Sequence, residues 1–397
     1  MRLFITTPFS SIKDNAWLAL FYLLLFIYVL SVPVSGVVGW LGYPIGYHLF
    51  KFSFVLNFIF LLLFFAAKGS GNSYWFLMFL VSAVLSLVVS IYSGNLELSF
   101  FMSHVYFYMI ASIGVAAGGR FYTYYGLKFI EADFFYKSAI GVLFIFFVFY
   151  YMLYVYGYIP YWGLSSVLPL LLPYFLINKR YFLIFLTLII VVLSGKRSIL
   201  LITLVQFFLY YLFFGNVRWV RVFMPISLLV LIVSLWFMYP NLFVRFGVFF
   251  DSDIGMSERV ALMSSGRSDE ILIFWDYFSN NHKTLVFGDG LGANLSVEYF
   301  NGNVKVLHYS HFSPFGLLLV GGIPLLITCY GPMVLLGVRL AYRSIIKKEK
   351  HIIWAALILL YFIVVSLLGP AMFNDIIFWF FLGFILKLSK FRNTGCL

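Results

Sequence analysis

The hydrophobic residues of this chain are grouped in long continuous runs, separated by short clusters of charged residues, glycine and proline. A helix needs about 20 apolar residues to cross the hydrocarbon core of a bilayer. Twelve runs approach that length, near 16–36, 50–67, 74–92, 99–118, 138–156, 163–178, 181–195, 198–214, 219–239, 312–338, 352–369 and 371–388. Strands of a membrane β-barrel would instead alternate apolar and polar residues over short segments. The pattern therefore predicts an all-α, polytopic transmembrane bundle of about twelve helices.

The spacing of these runs divides the chain into three parts. Residues 1–239 hold nine predicted spans, and residues 312–397 hold three. Between them, residues 240–311 form the one sizeable hydrophilic stretch of the sequence. Because a loop of this length is usually functional or contains secondary structure of its own, we expect short helices within it.

Composition favours a membrane protein and excludes other classes. Of the 397 residues, 63% are hydrophobic and only 10% are charged, whereas soluble domains carry about 25% charged residues. Such a chain has too few polar side chains to cover a soluble enzyme and too many apolar ones to remain disordered. The two cysteines, Cys329 and Cys396, exclude a disulfide scaffold or a zinc site built from cysteines.

The net charge of +12 is better explained by membrane topology than by a nucleic-acid partner. With the N-terminus placed in the cytoplasm, the predicted inner segments contain 18 of the 26 Lys and Arg residues. Five of the other eight lie in the loop 240–311. We therefore expect both termini in the cytoplasm, the long loop outside the membrane, and no nucleic acid bound. No small-residue cleavage site follows the first apolar run, so we expect the first helix to be retained.

One short connection that should lie outside departs from this charge pattern. Lys196 and Arg197 stand between the seventh and eighth runs, in the segment Ser194-Gly195-Lys196-Arg197-Ser198. Basic side chains at helix ends commonly extend toward lipid headgroups. The alternative is a binding site for an anion on the outer side of the membrane, and the sequence leaves the two open.

Within the long loop, residues 268–278 have the pattern of an amphipathic helix. Ser268 is placed to cap it, and Asp269 and Glu270 fall in its first turn, where negative charge is favourable. Apolar residues follow at i, i+3, i+4 and i+7, namely Ile271, Phe274, Trp275 and Phe278. We expect this helix to lie on the membrane surface or to cap the bundle.

Two further features of the loop surround this helix. Arg267 directly precedes it, where the guanidinium and the helix N-terminus can face one anion together. An ion pair between Arg267 and a neighbouring carboxylate is the alternative. Residues 288–292 read Gly-Asp-Gly-Leu-Gly, and we interpret them as a flexible turn. A nucleotide-binding glycine loop would follow a strand, which the sequence does not place here.

The end of the loop carries two histidines. His308 and His311 are three residues apart, and His311 stands where the chain re-enters the membrane. The segment Asp251-Ser252-Asp253 has the form of a metal-binding motif. Neither group is joined by enough further ligands, so we predict no metal site.

These features in this order resemble the O-antigen polymerase and ligase superfamily, membrane glycosyltransferases with a GT-C-like fold. The resemblance rests on the hydropathy profile with one large late loop and on motifs between about residues 180 and 330. The motifs are, in chain order, Ser194-Gly195-Lys196-Arg197-Ser198, Gly266-Arg267 followed by Trp275, the glycine-rich segment 288–292, and His311-Phe312-Ser313-Pro314-Phe315 leading to Gly321-Gly322-Ile323. Phe312 stands where the family commonly has Asn.

The resemblance implies a substrate and a reaction. The donor would be an oligosaccharide on undecaprenyl pyrophosphate, used at the periplasmic face of a bacterial inner membrane without a metal or another cofactor. Arg197 and Arg267 would bind the pyrophosphate, since a guanidinium binds phosphate oxygens bidentately. His311 would be the general base. Other residues expected to bind substrate are Lys196, Arg259, His308 and Trp275.

A polymerase of this kind would be accompanied by a chain-length regulator protein. Two other activities stay open beside a polymerase. A ligase of the same superfamily would transfer the finished glycan to lipid A–core. A flippase or other transporter would be expected to place polar and charged groups at mid-membrane and to consist of two similar halves. The main polar residues within the predicted spans are Asn57, His104 and Gln206, and the single large loop makes the two halves unequal.

The division of basic residues predicts the topology directly. A reporter that is active only in the periplasm is expected to be active when fused at Asn301 and silent when fused at Lys348. The measurement is reporter activity normalised to the amount of fusion protein in the membrane. Activity at Lys348 together with silence at Asn301 would contradict both the topology and the outer position of the loop.

Overall fold

The structure is a computed structural model that describes residues 12–40, 45–69, 72–129, 136–141, 168–193, 197–214, 267–298, 304–307, 310–368 and 375–391, with a few single positions between them. This part of the chain is mostly helical. Its helices before the long loop are α1 (Ile12–Trp40), α2 (Ile45–Lys68), α3 (Ser73–Ser93), α4 (Leu98–Tyr125), α5 (Leu168–Ile177), α6 (Tyr181–Leu193) and α7 (Arg197–Phe214).

The long loop contributes two short helices and a hairpin. The helices are α8 (Arg267–Asn280) and α9 (His282–Phe287). Strands β1 (Leu295–Glu298) and β2 (Val304–Leu307) pair antiparallel, with Leu295 opposite Leu307. Within the described residues the loop thus adds one two-stranded hairpin to a mostly helical chain, because two short segments of alternating hydrophobicity pair with each other. The helices α10 (Ser313–Lys347), α11 (Lys350–Leu368) and α12 (Ile376–Phe391) complete the chain.

Within the described residues, four helices are long and apolar enough to cross a membrane. They cover Tyr74–Ser93, Leu98–Tyr125, Ser313–Lys347 and Lys350–Leu367. Shorter apolar helical segments coincide with five further predicted spans. Most of the predicted spans at 138–156 and 219–239 lie outside the described residues. The helical bundle agrees with the predicted class, and the number of twelve spans stays a prediction.

The centre of the bundle is the crossing of α4 and α12, where small residues let two backbones touch. A Cβ at Gly118 would lie 2.0 Å from the Phe380 carbonyl oxygen, and one at Gly383 would lie 2.2 Å from the Val115 carbonyl oxygen. The side-chain amide of Asn72 donates to the carbonyls of both Val115 and Gly383, at 3.1 and 2.9 Å. Close packing of small residues is a common way to join helices where water provides no driving force.

The described ends of the bundle differ in charge. At one end, which we call the basic end, Arg120 donates to the Lys68 carbonyl at 2.5 Å, and Arg343 donates to the Ser389 carbonyl at 3.1 Å. Lys350 begins α11 directly after α10 ends. The helices and hairpin of the long loop lie at the opposite end. The basic side chains and the loop elements are therefore separated along the length of the bundle.

Two of the polar side chains noted in the predicted spans bind backbone groups. Asn57 donates to the Ser53 carbonyl at 2.8 Å. Gln206 donates to the Pro169 carbonyl at 3.1 Å. Because Pro173 in α5 has no N–H, the carbonyl four residues before it loses its helical partner, and Gln206 replaces that partner. These contacts give both residues structural roles.

Candidate functional site

The candidate site is built around an interruption of α10, the helix that follows the loop. Gly322 has φ +62° and ψ −160°, which is not helical, and Pro324 follows two residues later. Pro324 lacks the N–H that would bind the Val320 carbonyl. The backbone N–H groups of Asp289 and Gly290 donate to the carbonyls of Leu319 and Val320, at 2.7 and 3.1 Å. Residues 288–292 therefore supply the hydrogen bonds that the break removes.

The same segment is fixed on its other side by α3 and α4. The Leu291 N–H donates to the Ser86 carbonyl at 3.3 Å, and the Gly292 N–H donates to His104 Nδ1 at 3.1 Å. A Cβ at Gly290, whose φ is +87°, would lie 2.4 Å from the Ser90 backbone nitrogen. The expectation of a flexible turn was wrong, because these backbone contacts tie the segment to three helices. His104 has a structural role here as well.

The Asp289 carboxylate connects this segment to α8 and α9. It accepts hydrogen bonds from the Tyr277 hydroxyl at 2.6 Å and the Thr284 hydroxyl at 2.7 Å. Burial and the bond to Asp289 raise the pKa of Tyr277 to about 12. Asp289 thus holds the two loop helices against the broken end of α10.

The helix α8 caps the outer end of α10 with part of its apolar surface. Phe274 and Phe278 are buried and pack on Phe315, with ring centroids 6.0 and 5.8 Å away. By contrast, Ile271 is 38% and Trp275 65% exposed, so the four apolar residues expected on one face do not share one environment. Phe274 and Phe278 face the bundle, whereas Ile271 and Trp275 face away from it. The buried face agrees with the expected capping role.

The start of α8 also differs from the sequence expectation. The helix begins at Arg267, which places Ser268 inside its first turn and not at the cap position. One further turn brings Glu270 onto the buried stripe that continues through Phe274 and Phe278, each four residues on. Only 1% of Glu270 is exposed.

Glu270 and His311 form a hydrogen-bonded pair between two helix starts. His311 lies two residues before α10 begins, and its Nδ1 is 2.8 Å from Glu270 Oε2. The backbone N–H of His311 also donates to Glu270 Oε1, at 2.5 Å. Both carboxylate oxygens therefore contact one residue, which fixes the imidazole relative to the backbone of α8.

The carboxylate of Glu270 is held in its charged form. Burial alone raises the pKa of Glu270, but hydrogen bonds from His311 and the Ser310 hydroxyl outweigh burial, so its pKa lies below the ordinary value of 4.5. Ser310 is fully buried and also accepts from the Phe312 N–H at 3.0 Å. Phe312, which stands where the resembled family commonly has Asn, thus contributes its backbone N–H to the site.

A charged carboxylate determines which ring nitrogen of His311 carries hydrogen. Because Glu270 can only accept, Nδ1 must be the donor, which leaves Nε2 across the ring as the basic nitrogen of the neutral imidazole. The His311 side chain is 41% exposed, whereas Glu270 is buried. This is the arrangement of a general base that is oriented by a buried acid.

The structure describes the backbone of both arginines expected at the site. Arg267 lies in α8, three residues before Glu270, and Arg197 lies in α7. The C-terminal end of α5 lines a cavity with Lys350, so α6 leads away from the basic end and α7 starts at the end where the loop lies.

The other expected site residues divide into two groups. Lys196, Arg259 and His308 lie outside the described residues. Trp275 is described and exposed, on the side of α8 that faces away from Phe315. The described part of the chain contains no group of three or more His, Cys, Asp and Glu side chains that could hold a metal ion.

The sequence alone does not identify Glu270 as a site residue. Its place in the first turn of α8 is already explained by the favourable interaction of an acidic side chain with the helix dipole. The available signal was its position on the stripe with Phe274 and Phe278, because an acidic residue on the buried side of an amphipathic helix requires a polar partner. Local spacing does not identify that partner, since His311 lies 41 residues further along the chain.

No protein-family model matches this chain, and no curated protein matches it. The functional interpretation therefore depends on the geometry of the site and on the resemblance described above.

The Glu270 carboxylate predicts a pH dependence of stability. Because its pKa is lowered in the folded protein, its contribution is present above the ordinary value of 4.5 and is lost as the pH falls below that value. Replacement of Glu270 by Gln removes this contribution. The purified wild-type protein is expected to lose more thermal stability than Glu270→Gln when the pH falls from about 5 to about 3.5.

The matched control is Asp276→Asn, which changes an exposed carboxylate on the other side of the same helix. It is expected to follow the wild-type curve. Parallel melting curves for wild type and Glu270→Gln would contradict a charge-stabilised pair.

Proposed function

We propose that this chain is a membrane glycosyltransferase that polymerises oligosaccharide repeat units carried on undecaprenyl pyrophosphate, producing O-antigen or a related surface polysaccharide. In this proposal it acts at the periplasmic face of a bacterial inner membrane, with both termini in the cytoplasm and a chain-length regulator as a partner protein. The observation that carries the proposal is the Glu270–His311 pair at the loop end of an apolar helical bundle.

The proposed reaction requires one proton transfer to the protein. The hydroxyl of the acceptor glycan attacks the anomeric carbon of the donor, and its proton passes to Nε2 of His311. The bond between that carbon and the phosphate oxygen breaks, and undecaprenyl pyrophosphate leaves with the bonding electrons. Glu270 stabilises the imidazolium that forms, because the carboxylate is already charged and within hydrogen-bond distance.

The leaving pyrophosphate requires positive charge, which the arginines supply in this proposal. Arg267 precedes Glu270 by three residues in α8, and Arg197 lies in the first described turn of α7. A guanidinium stays protonated and binds phosphate oxygens bidentately. Lys196, Arg259, His308 and Trp275 remain proposed as further contacts to the substrate. The leaving group is already activated, so the proposal requires neither a metal nor a nucleotide sugar.

Contacts within the described residues support an enzyme over a transporter. The polar residues considered for a path through the membrane are hydrogen-bonded to backbone groups: Asn57 to the Ser53 and Leu24 carbonyls, Gln206 to the Pro169 carbonyl, and His104 to the Gly292 N–H. A polar path would require such side chains to face a cavity.

The experiment that tests the proposal uses the purified full-length protein with a lipid-pyrophosphate-linked repeat unit, and separates the products on a gel. His311→Gln is expected to lower the polymerisation rate by about 10²–10⁴-fold, because an amide cannot take the proton at neutral pH. Glu270→Gln is expected to lower kcat with little change in KM. The neutral amide lacks the charge that stabilises the imidazolium, and it can donate as well as accept, so it does not select the tautomer.

Two variants provide controls for this assay. His282→Ala alters an exposed histidine at the start of α9 and is expected to retain most of the activity. Asp276→Asn tests an exposed acid on the same helix as Glu270. A product ladder from His311→Gln as long as that of the wild type would contradict the general-base role. A rise in KM alone in Glu270→Gln would restrict Glu270 to a structural role.

The arginine roles give a separate prediction. Arg197→Ala and Arg267→Ala are each expected to reduce the rate by about 10²–10³-fold, the usual effect of removing one preorganised donor to a developing negative charge. Arg→Lys is expected to restore only part of it, because an ammonium does not bind bidentately. The assay is the same product ladder, normalised to folded protein. Wild-type product length in both Ala variants would leave these arginines with a role in lipid anchoring.

A further inference from the structure

The loop helices α8 and α9 expose an unusual amount of apolar surface for a hydrophilic segment. The exposed fractions are 66% for Leu272, 65% for Trp275 and 62% for Phe287. Ile271 and Val286 are 38% and 40% exposed. We call these five residues the outer apolar face. Contiguous apolar surface of this kind normally marks a place that another apolar phase covers.

The surface of α8 is divided into three stripes. Glu270, Phe274 and Phe278 form the stripe that faces the bundle. Asp276 and Asn280 form an exposed polar stripe. Ile271 and Trp275 lie between the two, and Leu272, four residues before Asp276, borders the polar stripe on that side. A helix with a wide apolar arc and a narrow polar arc is typical of a position parallel to a membrane, within the interface.

The outer apolar face is continuous with the apolar outside of the bundle. The Val286 carbonyl packs directly against Gly322 of α10. The next residue, Ile323, is 38% exposed, and Ile327, one turn further along α10, is 61% exposed. The helix α10 is long and apolar enough to cross a membrane. Its exposed apolar residues Ile323 and Ile327 therefore connect the outer apolar face to the side of α10 that would contact lipid.

We propose that the outer apolar face is inserted into the membrane leaflet at the loop end of the bundle, at the depth of the lipid headgroups. Tryptophan and phenylalanine are suited to that layer, and a helix there typically buries its apolar side by about 5–10 Å. Asp276 and Asn280 then face water. The occupant of the surface is the lipid of the membrane itself.

This position has a consequence for the site. Glu270 and Ile271 are adjacent in α8, so insertion of the face fixes the Glu270–His311 pair at the headgroup layer. A phosphate attached to a lipid lies in that layer. The insertion follows from exposure and continuity alone, and it does not rest on the proposed transfer reaction.

The test places an environment-sensitive fluorophore on single cysteines in the full-length protein, reconstituted in phosphatidylcholine vesicles. Cys329 and Cys396 are first replaced by Ala and Ser. The positions compared are Trp275→Cys and Phe287→Cys on the outer apolar face, with Asp276→Cys and Lys283→Cys as exposed neighbours on the same two helices. Three quenchers are compared: a lipid with a nitroxide near its headgroup, a lipid with a nitroxide at the end of its acyl chain, and iodide in the water.

The labels at positions 275 and 287 are expected to lose about half or more of their fluorescence to the headgroup nitroxide and about a tenth or less to iodide, as a burial depth of about 5–10 Å requires. The labels at positions 276 and 283 are expected to show the reverse. The vesicles contain no glycan and no lipid-linked donor, so failure of the proposed enzyme activity would not change this result.

Three results would overturn the inference. Quenching of positions 275 and 287 by iodide as strongly as positions 276 and 283 would show that water covers the face. Protection from all three quenchers would show that protein covers it, either another segment of this chain or a second copy. Stronger quenching by a nitroxide at the end of the acyl chain would show a position deeper than the headgroups.

Discussion

The described structure depends on how α10 accommodates a break near its outer end. Gly322 leaves the helical conformation and Pro324 lacks an N–H, so carbonyls of the preceding turn lose their helical partners. An unsatisfied carbonyl in apolar surroundings raises the free energy of the folded protein, because neither water nor lipid replaces the lost hydrogen bond there. The backbone of residues 289–290 provides the replacement. Residues 288–292 of the long loop are thereby packed inside the bundle, and their backbone hydrogen bonds connect the loop to α10.

The position of the site follows from this requirement. Once residues 288–292 are fixed between α3, α4 and α10, the Asp289 carboxylate orients Tyr277 and Thr284. Those contacts align α8 with the start of α10, so that Glu270 meets His311. The chemistry of the proposed base therefore depends on a backbone contact far from the reacting atoms. Rigid helices hold a carboxylate and an imidazole more accurately than a loop alone would.

Charge and exposed apolar surface are distributed differently along the bundle. Basic residues of α2, α4, α10 and α12 lie at one end of the bundle, and the loop elements lie at the other. The buried stripe of α8 faces the bundle, and its next stripe faces outward. A single helix thus has one apolar surface for protein and, in our proposal, another for lipid. Its short polar stripe is enough for the side that faces water.

The sequence by itself determined the helical class, the approximate positions of most described helices, the amphipathic character of α8 and the position of His311 at the edge of the loop. These are local properties, because the length of an apolar run and the period of its side chains are set by residues close together in the chain. The sequence did not determine the β1–β2 hairpin, the fixed conformation of residues 288–292 or the partner of His311. Each of these depends on groups that meet only after folding: two strands that pair, a carbonyl freed by a distant proline, and a carboxylate 41 residues away. Periodicity shows that a residue such as Glu270 is on a buried face, but only the tertiary structure decides what it meets there.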